Sequence, residues 1–191
     1  VVICGAFSSR MVPHVAIVTT AIAAIIAGWS FWQPDAAVNV AWADVFGMRF
    51  ELELDGLARL YALLATGIGF FVVAYASRYI EFHLNHQERP LVDQTKFFFF
   101  LLLFMAAMVG LVMAQDMILI FLFWDLTAIS SFFLIGYDRQ LRESRSAALM
   151  ALLVTGISAL FLLVAILLIY RETGTFDLEA DVASLGIVTL T

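Results

Sequence analysis

Long uncharged runs alternate with short polar stretches along the whole chain. Five such runs stand out, at residues 11–34, 56–77, 97–114, 117–137 and 146–170. The first contains His14 and no charged residue, the second only Arg59 near its start, and the fourth only Asp125; the third and fifth are uncharged. Each is long enough for an α-helix to cross a hydrocarbon layer of about 30 Å at about 1.5 Å per residue. A closed β-barrel would need many short alternating segments, so helices are the expected way to satisfy the backbone in lipid. The prolines agree with these limits. Pro13 falls at a helix start, Pro34 just past a helix end and Pro90 in a polar loop, and Asp55 before Gly56 is a candidate N-cap.

Composition turns this pattern into a class. Of 191 residues, 63% are hydrophobic and 14% charged, where a soluble domain is about half apolar and about a quarter charged. The reading is an all-α, polytopic transmembrane helix bundle, five full spans plus the end of another, VVICGAF at residues 1–7, for which a remnant signal sequence is the alternative. Residues 1–191 are expected to form a single transmembrane domain, the N-terminal portion of a larger fold. A net charge of −6 and scattered cations give no nucleic-acid footprint, and the lone Cys4 excludes a disulfide framework and any multi-Cys metal site. Threading the spans alternately puts Arg10, Arg78, Arg89, Lys96, Arg139, Arg142 and Arg145 on one side and Arg49, Arg59 and Arg171 on the other. The first side is therefore cytoplasmic, and the acidic segments 35–55 and 172–181 face away from it. Small residues recur in the spans, including Gly67, Gly69, Gly110, Ser130, Ser131 and Gly156; such residues allow close helix approach and hydrogen bonds between helices.

Asp125 is the residue that asks for an explanation. An ionised carboxylate at a helix centre costs about 2.5–3.5 kcal/mol to insert, and such groups usually face a bundle interior and mark an ion or proton route. The structural alternative is a protonated acid hydrogen-bonded to a neighbouring helix. Other candidates are weaker. Asp116 caps a helix or gathers cations at its mouth, Lys96 at a helix mouth snorkels to the interface, and His14 near a helix start is interfacial or takes part in proton uptake. His83 and His86 in EFHLNHQE have a spacing a helix could offer a metal, but a solvated loop explains them and no metal is assigned. Arg139, Arg142 and Arg145 fix topology, with a neighbouring subunit or anionic lipid as the sharper option. The run at 97–100 is packing bulk or lipid-facing.

The stretch LLLFMAAMVGLVMAQDMILIFLFWDLTAISSFFLIGY, residues 101–137, resembles the antiporter-like subunits of multisubunit Mrp-type cation/proton antiporters. That family includes the proton-pumping membrane subunits of respiratory complex I and of membrane-bound hydrogenases. DGLARLYALLATGIGFFVVAYASRYI (55–80), ALLVTGISAL (151–160) and TGTFDL (173–178) are similar to further landmarks of the family. The resemblance implies a fold and a role. In the family the acid after the tryptophan is a Glu on the fifth transmembrane helix, paired with a lysine on the seventh whose proton affinity it modulates; Asp125 stands at that position. Where the family has another Asp, this chain has Gln115. If the five spans correspond to helices two to six, the partner lysine and the second half-channel are expected in another part of a longer subunit or in a separate chain.

The expected function is proton or cation translocation within a multisubunit membrane complex, with Asp125 as the proton-relay acid and Asp116, Lys96 and His14 as secondary ion-path candidates. The expected partners are other membrane subunits, lipid, H+ and Na+, and no cofactor is assigned: no Cys cluster or Gly-rich nucleotide loop is present. Two alternatives belong to other classes, an assembly subunit without its own ion path and the membrane arm of a redox-driven enzyme. The default location is a bacterial or archaeal inner membrane, with an organelle membrane as the alternative.

Overall fold

A computed structural model describes residues 11–43, 48–86, 92–138 and 140–178. Its five long helices are α1 (Val12–Trp29), α2 (Gly56–His86), α3 (Val92–Met113), α4 (Met117–Ile135) and α5 (Arg142–Thr173), and each contains a span long and apolar enough to cross a membrane. All five expected spans are present. The VVICGAF remnant, Pro90 and Arg139 lie outside the described residues. Pro13 sits in the first turn of α1, where its missing N–H costs nothing. Asp55 Oδ1 accepts from Ala58 N at 2.6 Å and starts α2, and Gly174 ends α5 in the left-handed conformation at φ 78°. The two longest helices, α2 and α5, extend past the uncharged runs. His83 and His86 are thus on the last turns of α2 and not in a loop, a correction to the sequence reading. A charged final turn can project beyond the hydrocarbon without ending a helix.

Consecutive helices pack against one another, and α1 also touches α3. The best-packed core lies at the end of this trio where α1 begins: Val12 and Ala16 meet Val73, Ala76, Ile80, Phe98, Leu101 and Met105. Phe98 is fully buried there, Phe97 meets Tyr137 edge-on at 5.1 Å, and Phe100 stacks on Phe133 at 4.2 Å. The phenylalanine run is packing bulk between helices. Two glycines set close approaches: a Cβ at Gly69 would strike the Met105 side chain, and one at Gly110 would strike the Phe123 ring. Gly67 and Gly156 would meet nothing. The small residues thus divide into those that admit a neighbour and those that do not.

The segment between α1 and α2 departs from the all-helical expectation. It forms an antiparallel hairpin, β1 (Ala36–Ala43) and β2 (Met48–Leu54). The register places Ala36, Val38 and Val40 opposite Leu54, Leu52 and Phe50, so one face is apolar, while Asn39 opposes Glu51 on the other. Gln115 N donates to the Glu51 carbonyl at 3.0 Å and Leu178 N to the Gln115 carbonyl at 2.9 Å, while Met117 N donates to the Phe176 carbonyl at 2.8 Å. The hairpin, the α3–α4 turn and the segment after α5 are therefore joined on one side of the bundle, the side away from Lys96, Arg142 and Arg145.

Candidate functional site

The helix that carries Asp125 is held firmly at its N-terminal end. Asp116 Oδ1 accepts from Ile118 N at 2.8 Å and Leu119 N at 3.2 Å, satisfying two of the first free N–H groups of α4. Asp116 is 3% exposed, so capping is what the structure assigns to it. Asp125 follows nine residues later, about 13.5 Å deeper at the helical rise, in a helix of 19 residues. It is close to the midpoint of the span.

Asp125 shares a helical face with Leu122 and Ile129, which are 41% and 46% exposed. On the other side Leu119 and Ser130 are buried, and Phe123 fits against Gly110 of α3. Met117 packs against Ile166 of α5. Asp125 itself is half-buried, and among the described residues no hydrogen bond or ion pair holds its carboxylate. The nearby hydroxyls do not serve it: Thr127 donates to the Trp124 carbonyl at 2.7 Å, Ser130 to Leu126 at 2.6 Å and Ser131 to Ala128 at 2.9 Å. These serines and threonines bond within their own helix, whereas the sequence suggested bonds between helices.

The other candidates lie apart from Asp125. Lys96 pairs with Asp93 at 3.3 Å one turn away, at the opposite end of the bundle from Asp116. His14 is exposed on the first turn of α1. No hydrogen bond or ion pair joins any two of Asp125, Asp116, Lys96 and His14 among the described residues. No group of three or more His, Cys, Asp or Glu with metal-binding geometry occurs among them either.

Residues 114–187, which include all of α4 and α5, match the family described as "NADH:quinone oxidoreductase/Mrp antiporter, TM". The chain is 41% identical over 138 residues to the A1 subunit of a Na(+)/H(+) antiporter of Staphylococcus aureus. It is 37% identical over 146 residues to the A/B subunit of a probable K(+)/H(+) antiporter of Rhizobium meliloti. These alignments cover 72% and 76% of the chain. In three dimensions it superposes on a chain of the Mrp complex from Dietzia sp. with a TM-score of 0.75 and 29% identity, over 91% of its length. The chain belongs to the antiporter-like membrane subunits. It is a multi-pass membrane protein of bacterial or archaeal type. A chain of the archaeal membrane-bound sulfane sulfur reductase shares the fold at a TM-score of 0.72 and 22% identity. The antiporter-like chain spans 16% and 14% of the two curated relatives' lengths and 19% of the Dietzia chain.

Sequence reading missed two features on the hairpin side of the bundle. The hairpin was legible in the strict alternation of MRFELEL at 48–54, an apolar–polar period of two hidden inside a segment read only as acidic. The second is an ion pair: Arg59 Nη2 lies 2.7 Å from Asp35 Oδ1, with the arginine side chain 10% exposed and the aspartate 68%. Nothing in a single sequence signals that Arg59 turns inward toward a residue on the far side of a hairpin.

Proposed function

We propose that this chain contributes an intramembrane proton-relay acid, Asp125, to a larger antiporter-like subunit that moves protons and a monovalent cation within a multisubunit membrane complex. The observation that carries this reading is a carboxylate halfway along α4 that has no partner among the described residues, on a face bounded by exposed Leu122 and Ile129. A membrane acid on an open face is costly unless a further helix brings a cationic partner to it. Support also comes from the relatives: those in S. aureus and R. meliloti are named as Na(+)/H(+) and probable K(+)/H(+) antiporter subunits. In this reading Asp125 stabilises a protonated partner group when ionised and releases it when neutralised, so that a proton moves as the pair alternates. Asp116 holds the outer end of α4, and Lys96 anchors the inner end of α3.

The test is ion-coupled proton flux in membrane vesicles carrying the intact complex, followed with a pH-sensitive dye on addition of Na+ or K+. Asp125→Asn keeps the shape and removes the titration, and flux is expected to vanish. Asp125→Glu restores a carboxylate and is expected to retain much of it. Unchanged flux from Asp125→Asn at normal assembly would remove Asp125 from the path. If Asp125→Asn lowers assembly and leaves flux per assembled complex unchanged, the residue is structural.

A further inference from the structure

The end of the bundle opposite the hairpin carries a cleft between α4 and α5, with a volume of about 500 Å³. Phe132, Phe133 and Gly136 of α4 line it together with Arg145, Ala148 and Leu149 of α5. Its frame is fixed. Ser144 Oγ donates to the Ile135 carbonyl at 2.7 Å, and Phe133 is stacked on Phe100 at 4.2 Å. Two small residues bring the helices together beside the cleft: a Cβ at Gly136 would stand 3.2 Å from that of Ala148.

The lining is ordered along the helix axes. Arg145 and Gly136 stand at the end, and Leu149 and Phe132 lie a turn further into the spans, about 6 Å deeper. Charge is thus confined to the lip, and the deeper wall is apolar. Arg142 precedes Arg145 by three residues and Leu149 follows it by four, so the three share one stripe of α5, and Arg142 adds a second cation at the same lip. Glu143 falls on the opposite side of the helix. Both arginines are exposed, and among the described residues no hydrogen bond or ion pair engages either guanidinium. Whatever covers the cleft must answer two cations. An apolar helix would desolvate them without a counter-charge, which is strongly unfavourable. A phospholipid with a net negative headgroup meets each part of the pattern. It presents a phosphate at the membrane boundary with hydrocarbon directly beneath, the same order in which this lining runs.

We propose that this cleft is a binding site for an anionic phospholipid such as phosphatidylglycerol, in the leaflet at the end of the bundle opposite the hairpin. Phosphate oxygens accept from the guanidinium groups of Arg145 and Arg142, and an acyl chain lies along Phe132 and Leu149. On α4 the site begins at Phe132, seven residues or about 10 Å beyond Asp125, and it does not depend on the ion-path reading.

The experiment reads the site itself. Leu149 is replaced by a photoreactive amino acid in the intact complex, which is reconstituted into phosphatidylcholine containing phosphatidylglycerol and illuminated. The mass of whatever is attached to this chain then identifies the occupant. Phosphatidylglycerol is expected to be captured well above its share of the bilayer. Adding Arg145→Gln should lower that preference about fivefold, and Arg142→Gln with Arg145→Gln about thirtyfold, one charge contact and two near the membrane surface. Both arginines are exposed, so neither change disturbs the packed helices, and the ratio of the two lipids within one sample does not depend on yield. Arg171→Gln removes a cation from the far end of α5 and is expected to leave the preference unchanged. Excess inorganic phosphate should also leave it unchanged. Capture of the two lipids in their bulk ratio, or an unchanged preference in the double variant, would overturn the site. An equal fall in Arg171→Gln would show a general charge effect and overturn it too. Loss of the preference in phosphate would assign the arginines to a soluble anion, and capture of another protein segment would place protein in the cleft; either result refutes a lipid site.

Discussion

Gly110 is where the α3–α4 spacing is set, and its replacement gives a magnitude that can be worked from geometry. A side chain there would drive its Cβ into the edge of the Phe123 ring, which stands two residues before Asp125. Gly110→Val forces α3 and α4 apart or drives the ring from its place, and overpacking of this kind costs about 1–3 kcal/mol. The valine adds two further methyl groups, so the upper part of that range applies. Better helix propensity returns only a few tenths of a kcal/mol for a β-branched residue. The net loss expected is about 2 kcal/mol. Gly156→Val makes the same chemical change where a Cβ meets nothing within 4 Å, and it is expected to stay within about 0.5 kcal/mol of wild type. The assay is reversible unfolding of the intact subunit in mixed micelles with increasing dodecyl sulfate. Adding Phe123→Ala to Gly110→Val removes the clash, so the double substitution should cost less than the sum of the singles by about 1 kcal/mol or more. Equal losses at Gly110 and Gly156, or strict additivity with Phe123, would refute the claim that this glycine fixes the distance between the two helices.

Other expectations follow from the hairpin side of the bundle. Asp116→Ala leaves Ile118 N and Leu119 N without their acceptor and should lower stability by about 1 kcal/mol, with Asp116→Asn losing less because its carbonyl oxygen can still cap; the same unfolding assay reads both. Asp35→Ala strips the counter-ion from a buried guanidinium, and the loss should be about 2 kcal/mol, below that of a fully buried pair because Asp35 is 68% exposed. Replacing both partners, Asp35→Ala with Arg59→Met, should recover most of it. A double variant less stable than Asp35→Ala alone would show that Arg59 has other partners.

Within this chain, the hydrophobic pattern by itself determined the membrane class and all five helices, because a backbone in lipid has no other way to satisfy its hydrogen bonds over a run of that length. It also singled out Asp125, since a charge in such a run stands out whatever surrounds it, and Asp55 as a cap, since that preference is local. The hairpin was present as alternation in 48–54 yet went unread, because a short amphipathic strand beside long apolar helices is a weak signal. Other features needed the tertiary structure. Chain order alone does not reveal that Gly110 admits Phe123 while Gly156 admits nothing, or that Arg59 turns inward to Asp35. Nor does it show that Ser130 bonds its own helix and leaves Asp125 without a partner among the described residues. Each is a contact between groups distant in sequence or a choice among rotamers, and both are decided by how the helices pack, not by the local chemistry that makes them helices.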